Sequence, residues 1–323
     1  MPPECEELEH HAMPEKISCI DGKIKDPLRS VAAATFYGRR AMVNKFRCQE
    51  VVRKWFYKKD EPPHPRVFSE PKCQRYAASW FLLYRWLIFT AWATIVICSL
   101  FEIGSYEPFI AYDKWPIYLT NWDLLLGLSQ ALLGGFLASR RWKLQKITDF
   151  DPLTLTMGSM ERAYWFLCVV TTNIAFAVTI NYWCSVYNPA IHHLDPLNIM
   201  LHICNSILMI VDFCISSIPF KLRNFWWCVP ILLLYVILTL VYYTAGGLDK
   251  YGYHYIYKIV DWKKPLKTTL VCTGEVIFVT LLHSMMCFLE KIKNHIYLKV
   301  DTKLGKSSSD AQKTVASKQA DIV

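Results

Sequence analysis

The sequence has little charge for its length. Only 20% of its 323 residues are charged, whereas 53% are hydrophobic and 15% are aromatic. A soluble domain usually carries about 25% charged residues, so this balance argues against a single soluble domain. It is typical of a compact protein that crosses a membrane several times.

Features of secreted proteins are also lacking. The acidic N-terminus has neither the basic flank nor the apolar core of a signal peptide, so we expect the first membrane span to act as the insertion signal. The loops that we place outside the membrane, 104–116, 187–196 and 244–267, contain no cysteine and no Asn-X-Ser/Thr acceptor. An adhesive, disulfide-bonded ectodomain is therefore excluded, and we expect the twelve cysteines to be reduced thiols.

Six apolar segments have the length that a bilayer requires of a helix. They predict an all-α fold, a polytopic bundle of six transmembrane helices, at Trp80–Ile103, Ile117–Leu137, Ala163–Val186, Leu197–Ile218, Phe225–Tyr243 and Thr268–Leu289. Because six is even, both tails lie on one side. That side carries 29 of the 36 Lys and Arg residues and the other carries 6, so the positive-inside rule predicts cytosolic N- and C-termini.

The predicted domains follow from these spans. Residues 1–79 form a cytosolic tail whose segment Arg39–Lys59 mixes basic and aromatic residues, as in a juxtamembrane or membrane-surface segment. Residues 80–289 form the six-helix domain, and residues 290–323 form a cytosolic, largely disordered tail. The net charge of +9 follows this topology, so no nucleic-acid partner is expected. The last four residues, 320–323, could bind a cytosolic scaffold through their carboxylate.

The fourth span carries an unusual polar stripe. Six residues follow one another at steps of four, three, four, three and four, which places them on one helix face: Asn198, His202, Asn205, Met209, Asp212 and Ser216. A charge in hydrocarbon costs about 3 kcal/mol on insertion scales, so this face must point into the protein. In the second span Thr120, Asp123, Gly127, Gln130 and Gly134 repeat the same spacing.

The topology assigns each polar group a depth. Thr120 and Asp123, at the start of span two, lie level with His202 and Asn205 in span four, and Glu275 in span six lies slightly deeper. These residues form the predicted polar cluster, in the outer leaflet. Towards the cytosol, Arg85 and Asp212 lie at matching depths, and we expect them to form a structural ion pair.

Two interpretations of the cluster stay open. A threonine hydroxyl becomes a nucleophile only beside a base, a role that His202 could fill for Thr120 against a lipid ester, with Asp123, Asn205 or Glu275 in support. Alternatively, Thr120 and Asp123 form a capping box at the start of span two, and His202 is an interior histidine that links helices. Spacing alone favours the cap.

No cofactor and no metal are expected. His202 and His283 lie at opposite ends of their spans, so one haem cannot bridge them. His192 and His193 with Asp195 could bind a metal, but adjacent histidines in an extended loop point apart.

The membrane-spanning part of the sequence resembles the rolling stone family of multi-pass membrane proteins. The resemblance covers about residues 80–293 and rests on motifs that follow the His202, Asn205 and Asp212 helix, namely Trp226, Pro230, Tyr235, Tyr242, Gly246-Gly247, Tyr255-Ile256-Tyr257, Asp261-Trp262 and Pro265. The family takes its name from an insect protein implicated in myoblast fusion. The resemblance therefore implies a plasma-membrane role in cell-cell fusion.

A more distant likeness is to the androgen-induced-gene family of transmembrane threonine hydrolases, which cleave fatty acid esters of hydroxy fatty acids. Leu119-Thr120, Asp123-Leu124 and His202 carry it, and they match that family's catalytic threonine and histidine. The larger loop at 244–267, with its glycines and aromatic residues, departs from that family's pattern. We expect this loop to cover the outer mouth of the bundle.

The sequence thus predicts a rolling stone-like integral membrane protein acting in cell-cell fusion or membrane organisation. The alternatives are an intramembrane lipid-ester hydrolase, with Thr120 as nucleophile and His202 as base, and a small-molecule transporter. The expected partners are membrane lipids, with a lipid-ester substrate and a C-terminal scaffold as further candidates. The expected location is the plasma membrane or the endoplasmic reticulum, and the sequence does not reveal the oligomeric state.

Overall fold

A computed structural model describes residues 62–106, 108, 112–189 and 194–320, with side chains through residue 302. The basic-aromatic segment Arg39–Lys59 and the last three residues lie outside this range. No strand occurs among the described residues, and six of their helices are long and apolar enough to cross a membrane. The prediction of an all-α, six-helix membrane bundle is confirmed.

The six helices follow the hydrophobic runs of the sequence, with ends that differ by several residues from the predicted ones. We number them α1 to α6, and their bounds are Ser79–Leu100, Leu119–Leu144, Ser159–Val186, Pro196–Ile215, Leu222–Thr244 and Pro265–Ala320. Short 3₁₀ turns lie at Pro65–Phe68, Tyr112–Ile117 and Pro152–Thr154. Helix α3 is the central one. Inside the protein, 67% of its apolar stretch is buried, compared with 22–28% for the apolar stretches of α1, α4, α5 and α6.

Small residues on α2 allow its neighbours to approach closely. A Cβ atom added to Gly127 would lie 2.5 Å from the ring of Trp92 on α1, and one added to Gly134 would lie 3.0 Å from the hydroxyl of Tyr164 on α3. Both positions belong to the polar and small-residue stripe that the sequence predicts. Van der Waals packing at such positions is a main source of helix association in lipid.

The chain just before α1 packs against the bundle, although its sequence indicated part of a tail. Phe68 is 1% exposed and lies in a core cluster with Tyr164 and Trp165 of α3. Glu70 accepts hydrogen bonds from the guanidinium of Arg141 at 2.8 and 3.0 Å. The packed domain therefore begins before residue 80.

The packed domain also extends beyond Leu289, where the sequence predicted a largely disordered tail. Helix α6 continues to Ala320. Lys293 donates to the carbonyl oxygens of Phe213 and Ser216 at 2.7 and 3.0 Å, and Tyr297 donates to that of Cys214 at 3.3 Å. These contacts attach the helix to the end of α4. Nothing in the sequence indicated them, because they are polar contacts and do not follow an apolar periodicity.

Candidate functional site

A cavity of about 650 Å³ lies at one end of the bundle, where α1, α3 and α5 end and α2 and α4 begin. We call it the chamber. Its walls come from the helix ends and from the loop 245–264, and they include eight tyrosines, Tyr112, Tyr118, Tyr182, Tyr187, Tyr251, Tyr253, Tyr255 and Tyr257. Its volume is in the range of small-molecule sites, about 300–1,000 Å³.

The loop 245–264 lines the chamber with residues 249–251, 253 and 255–259. Asp249 fixes its turn by accepting hydrogen bonds from the amides of Tyr251 and Tyr253 at 2.9 and 2.7 Å. Gly252, with φ +84°, occupies the left-handed conformation that the turn requires. The Tyr257 hydroxyl then accepts a hydrogen bond from the amide of Leu119 at 3.1 Å, which holds the loop on the first turn of α2.

Two stacked rings form one side of the chamber. Tyr182 of α3 and His202 of α4 lie face to face, with ring centroids 3.4 Å apart and planes at 4°. Each ring belongs to a π-helical turn, Tyr182–Val186 or Met200–Cys204. Such turns are rare and are frequent at functional sites. Sequence reasoning treated both segments as regular α-helix and missed them, because no residue signal marks a π turn.

Below this stack, two members of the predicted polar cluster contact each other. Asn205 Nδ2 donates to Asp123 Oδ2 at 2.6 Å, and both residues are fully buried. This contact fixes the register of α2 against α4. Thr120 and His202 each come three residues earlier on their helices, and both line the chamber.

The capping-box interpretation of Thr120 is wrong. Helix α2 begins at Leu119 with Tyr118 as its N-cap residue, and no side chain caps it. Asp123, the other half of the proposed box, is bonded to Asn205 instead. Thr120 lies inside the helix, and its hydroxyl forms a hydrogen bond with the Tyr257 hydroxyl.

Glu275 lies apart from the chamber. It lines a second cavity of about 110 Å³, which we call the slot, between α3, α5 and α6. Its carboxylate accepts a hydrogen bond from Asn181 Nδ2 at 2.8 Å. The slot is largely apolar, with walls that include Val178, Leu232 and Val271. Thr120 lines both the slot and the chamber, so the predicted cluster is divided between two adjoining cavities.

Arg85 and Asp212 lie deeper in the bundle, and the structure pairs them. Arg85 Nη1 is 2.5 Å from Asp212 Oδ1, and both side chains are almost fully buried. Gln130 donates to Asp212 Oδ2 at 2.7 Å and Tyr84 donates to Oδ1 at 3.2 Å. The sequence placed Gln130 on the polar stripe but did not assign it to this pair. The four groups join α1, α2 and α4.

Hydroxyl groups dominate the part of the chamber wall outside the membrane spans, which also carries three lysines and three carboxylates. Burial raises the pKa of Tyr118 and Tyr257 above the ordinary value for tyrosine, so their hydroxyls stay neutral and can donate hydrogen bonds. A hydrogen bond to the Tyr242 hydroxyl, 3.1 Å away, raises the pKa of Lys114, which therefore stays cationic. The wall thus presents donors to a ligand with acceptor oxygens.

The described residues contain no group of three or more His, Cys, Asp or Glu side chains that could hold a metal ion. His192 and His193 lie outside the described part of the chain. His283, the other histidine considered for haem, is bonded to Asn173 Nδ2 at 3.1 Å and to the carbonyl of Lys221 at 2.9 Å, away from the chamber. Its surroundings account for both ring nitrogens.

Comparison with known proteins gives one consistent result. Residues 66–304 match the family described as Protein rolling stone, a range that includes the chamber, the slot and all but the last part of α6. The protein named Protein rolling stone from Drosophila melanogaster is 25% identical to this chain over 225 residues, which are 66% of this chain and 78% of the relative. No solved structure matches.

Proposed function

Because this chain belongs to the rolling stone family, we propose that it acts in cell-cell fusion or membrane organisation, at the plasma membrane or in the endoplasmic reticulum. It is a multi-pass integral membrane protein. In the proposed topology both termini are cytosolic and the chamber opens on the outer side, since the Lys and Arg residues are concentrated in the tails and in the loops at the opposite end.

The observation that carries this proposal is the chamber, which the chain's own loop 245–264 lines at the end of the bundle. Only short segments join the helices at that end, at 101–118, 187–195 and 245–264. The last of these folds back onto α2. A protein built in this way acts through what its bundle binds, such as a lipid of the membrane in which it lies.

A cell-fusion assay tests the proposal. Muscle precursor cells that lack their own rolling stone-family protein are given this chain, and mixing of cytoplasm is measured with a split reporter. We expect the chain to restore mixing. Normal amounts of the protein at the cell surface without any restored mixing would contradict the proposed role.

The proposed topology has a separate test. A tag placed after Met1 or after Val323 should bind antibody only in permeabilised cells, whereas one inserted at Gly246 should bind it in intact cells. Gly246 suits the insertion because it is exposed and no atom lies within 4 Å of a Cβ built on it. Antibody binding to a terminal tag in intact cells would overturn this topology.

A second candidate function is hydrolysis of a lipid ester. The observation in its favour is that Thr120 and His202 line one chamber while Thr120 is not used as a helix cap. In that reaction His202 takes the hydroxyl proton as the Thr120 oxygen attacks the ester carbonyl, and the alcohol leaves with that proton. Water then releases the acid from the acyl-threonine. Neither the hydrolase nor the transporter alternative gains support from the family or from the relative.

The test of hydrolysis compares turnover of a panel of lipid esters, and labelling by a fluorophosphonate probe, in purified variants. Thr120→Ala and His202→Ala should abolish both, Thr120→Ser should retain part of the turnover, and the control Thr94→Ala, on an exposed position of α1, should match wild type. Full turnover in both alanine variants at residues 120 and 202 would exclude this mechanism.

A further inference from the structure

The chamber and the slot are neighbours with opposite character. They share wall residues, Thr120, Tyr182, Val186, Tyr257 and Ile259. On one side of this shared wall lies the large, hydroxyl-rich chamber, and on the other lies the narrow, apolar slot between α3, α5 and α6. A large cavity rich in hydroxyl groups that adjoins a narrow apolar one fits a molecule with a bulky polar head and a single hydrocarbon chain.

The charges of the chamber indicate the kind of head. The chamber wall has three carboxylates and three ammoniums. Backbone amides stabilise two of the carboxylates, Asp249 through Tyr251 and Tyr253, and Asp195 through Asn198 at 2.8 Å. The third, Glu102, lies 3.8 Å from Lys250 Nζ, a pair that an anionic ligand at Lys250 would have to replace or share. The cations are lysines, Lys114, Lys250 and Lys258. Lysine ammoniums and neutral tyrosine hydroxyls together favour a group with several anionic oxygens, and a phosphate has more of them than a carboxylate.

Size distinguishes a phospholipid head from a simple acid. A chamber of about 650 Å³ is far larger than a carboxylate needs, whereas it accommodates a phosphate with an attached polar group. The slot, at about 110 Å³, has room for part of one hydrocarbon chain and not for two chains side by side.

We infer that the chamber and the slot together bind a single-chain phospholipid, with its phosphate beside Lys250 and its acyl chain entering the slot past Thr120. The glycerol and its ester then lie at the shared wall, where Thr120 faces both cavities. This inference rests on the proposed function only in taking the chamber as the working site of a rolling stone-family protein.

The test is equilibrium binding to the purified full-length protein, held in amphipol so that bilayer lipid does not compete. Radiolabelled oleoyl-lysophosphatidylcholine should bind saturably, with one molecule per chain. Oleate, which lacks the phosphate head, and glycerophosphocholine, which lacks the chain, should each bind at least about tenfold more weakly, because each fills one cavity only. Non-saturable binding, or oleate binding as tightly as the lysophospholipid, would overturn the inference.

Paired variants locate the two halves of the site. Lys250→Gln removes an ammonium from the chamber and should weaken binding about tenfold, whereas Lys263→Gln, in the same loop but outside the chamber wall, should leave it unchanged. Val271→Trp should block the slot and weaken binding by a similar factor, whereas Ile277→Trp, on an exposed position of α6 outside the slot, should not. Cys272→Phe blocks the slot from the next position if Val271→Trp does not fold.

Wild-type affinity in both Lys250→Gln and the slot variant would place the lipid elsewhere and refute the assignment. The cell-fusion assay is independent of this measurement. Saturable lysophospholipid binding without restored fusion overturns only the proposed function, whereas restored fusion without such binding overturns only the inference drawn here from the two cavities.

Discussion

Tyr182 and His202 stack face to face across the interface of α3 and α4, with ring centroids 3.4 Å apart. Both rings lie in π-helical turns. The amide of Tyr187 donates to the carbonyl of Tyr182, and that of Asn205 donates to the carbonyl of Met200, five residues earlier in each case. Two neighbouring helices therefore depart from regular geometry at the same level, beside the chamber.

The stack should be measurable as a coupling energy. We expect a double-mutant cycle of Tyr182→Leu and His202→Leu to give an interaction of about 1 kcal/mol, as for other aromatic pairs. Tyr182→Phe, which removes only the hydroxyl that donates to Asn198 at 2.9 Å, should preserve the coupling. The measurement is the free energy of unfolding of the purified variants. A coupling within error of zero would show that the rings contribute no mutual stabilisation.

The buried ion pair gives a second prediction. Arg85→Met leaves the carboxylate of Asp212 buried without its cation, which should cost about 3–5 kcal/mol in the free energy of unfolding. The double variant Arg85→Met/Asp212→Leu removes both charges and should be more stable than the single variant. Arg140→Met serves as control, because Arg140 is 58% exposed and its pair with Glu161 should be worth less than about 1 kcal/mol. A double variant less stable than Arg85→Met would contradict this account of the pair.

The segment before α1 should contribute to stability as core does. Phe68→Ala empties a site that is 1% exposed, so we expect a loss of about 3–5 kcal/mol in the free energy of unfolding. Phe136→Ala, at a position on α2 that is 47% exposed, is the matched control and should cost much less. Equal effects of the two substitutions would mean that residues 65–78 do not belong to the folded domain.

The loop 245–264 should respond to acid. His254 Nε2 lies 3.0 Å from the carboxylate of Asp261. Partial burial acts to raise the pKa of Asp261, but hydrogen bonds from the Lys263 amide and from His254 outweigh it and hold the pKa below its ordinary value. The carboxylate therefore stabilises the loop above the unfolded pKa of about 4, and this contribution is lost as the pH falls through the lower folded pKa.

Proteolysis within residues 245–264 measures this response. We expect the rate of cleavage to stay constant from pH 8 to pH 5 and to rise only below about pH 4, as the carboxylate takes up its proton. Asp261→Asn should be cleaved faster than wild type at neutral pH. A rise in the wild-type rate already between pH 8 and pH 5 would assign the response to another group.

The sequence predicted what depends on hydrophobic length and on depth. The six spans follow from apolar runs that match the bilayer, and equal depth was enough to bring Arg85 to Asp212 and Asp123 to Asn205. What it missed depends on packing between distant segments. Phe68 has no periodic pattern around it, and the π turns at Tyr182 and Met200 have no residue signature. The sequence also did not predict that Glu275 and His202 line different cavities, because this depends on where α6 packs and not on depth alone.

The central claim is that the chamber is the working site of this rolling stone-family protein, and filling it tests the claim most directly. Ser185 and Cys184 are adjacent, exposed residues of α3, and of the two only Ser185 lines the chamber. In the fusion assay we expect Ser185→Trp to reach the cell surface but to restore little cytoplasmic mixing, and Cys184→Trp to restore it as wild type does. Full restoration by Ser185→Trp, at equal surface amounts and with the chamber shown to be filled, would contradict the claim.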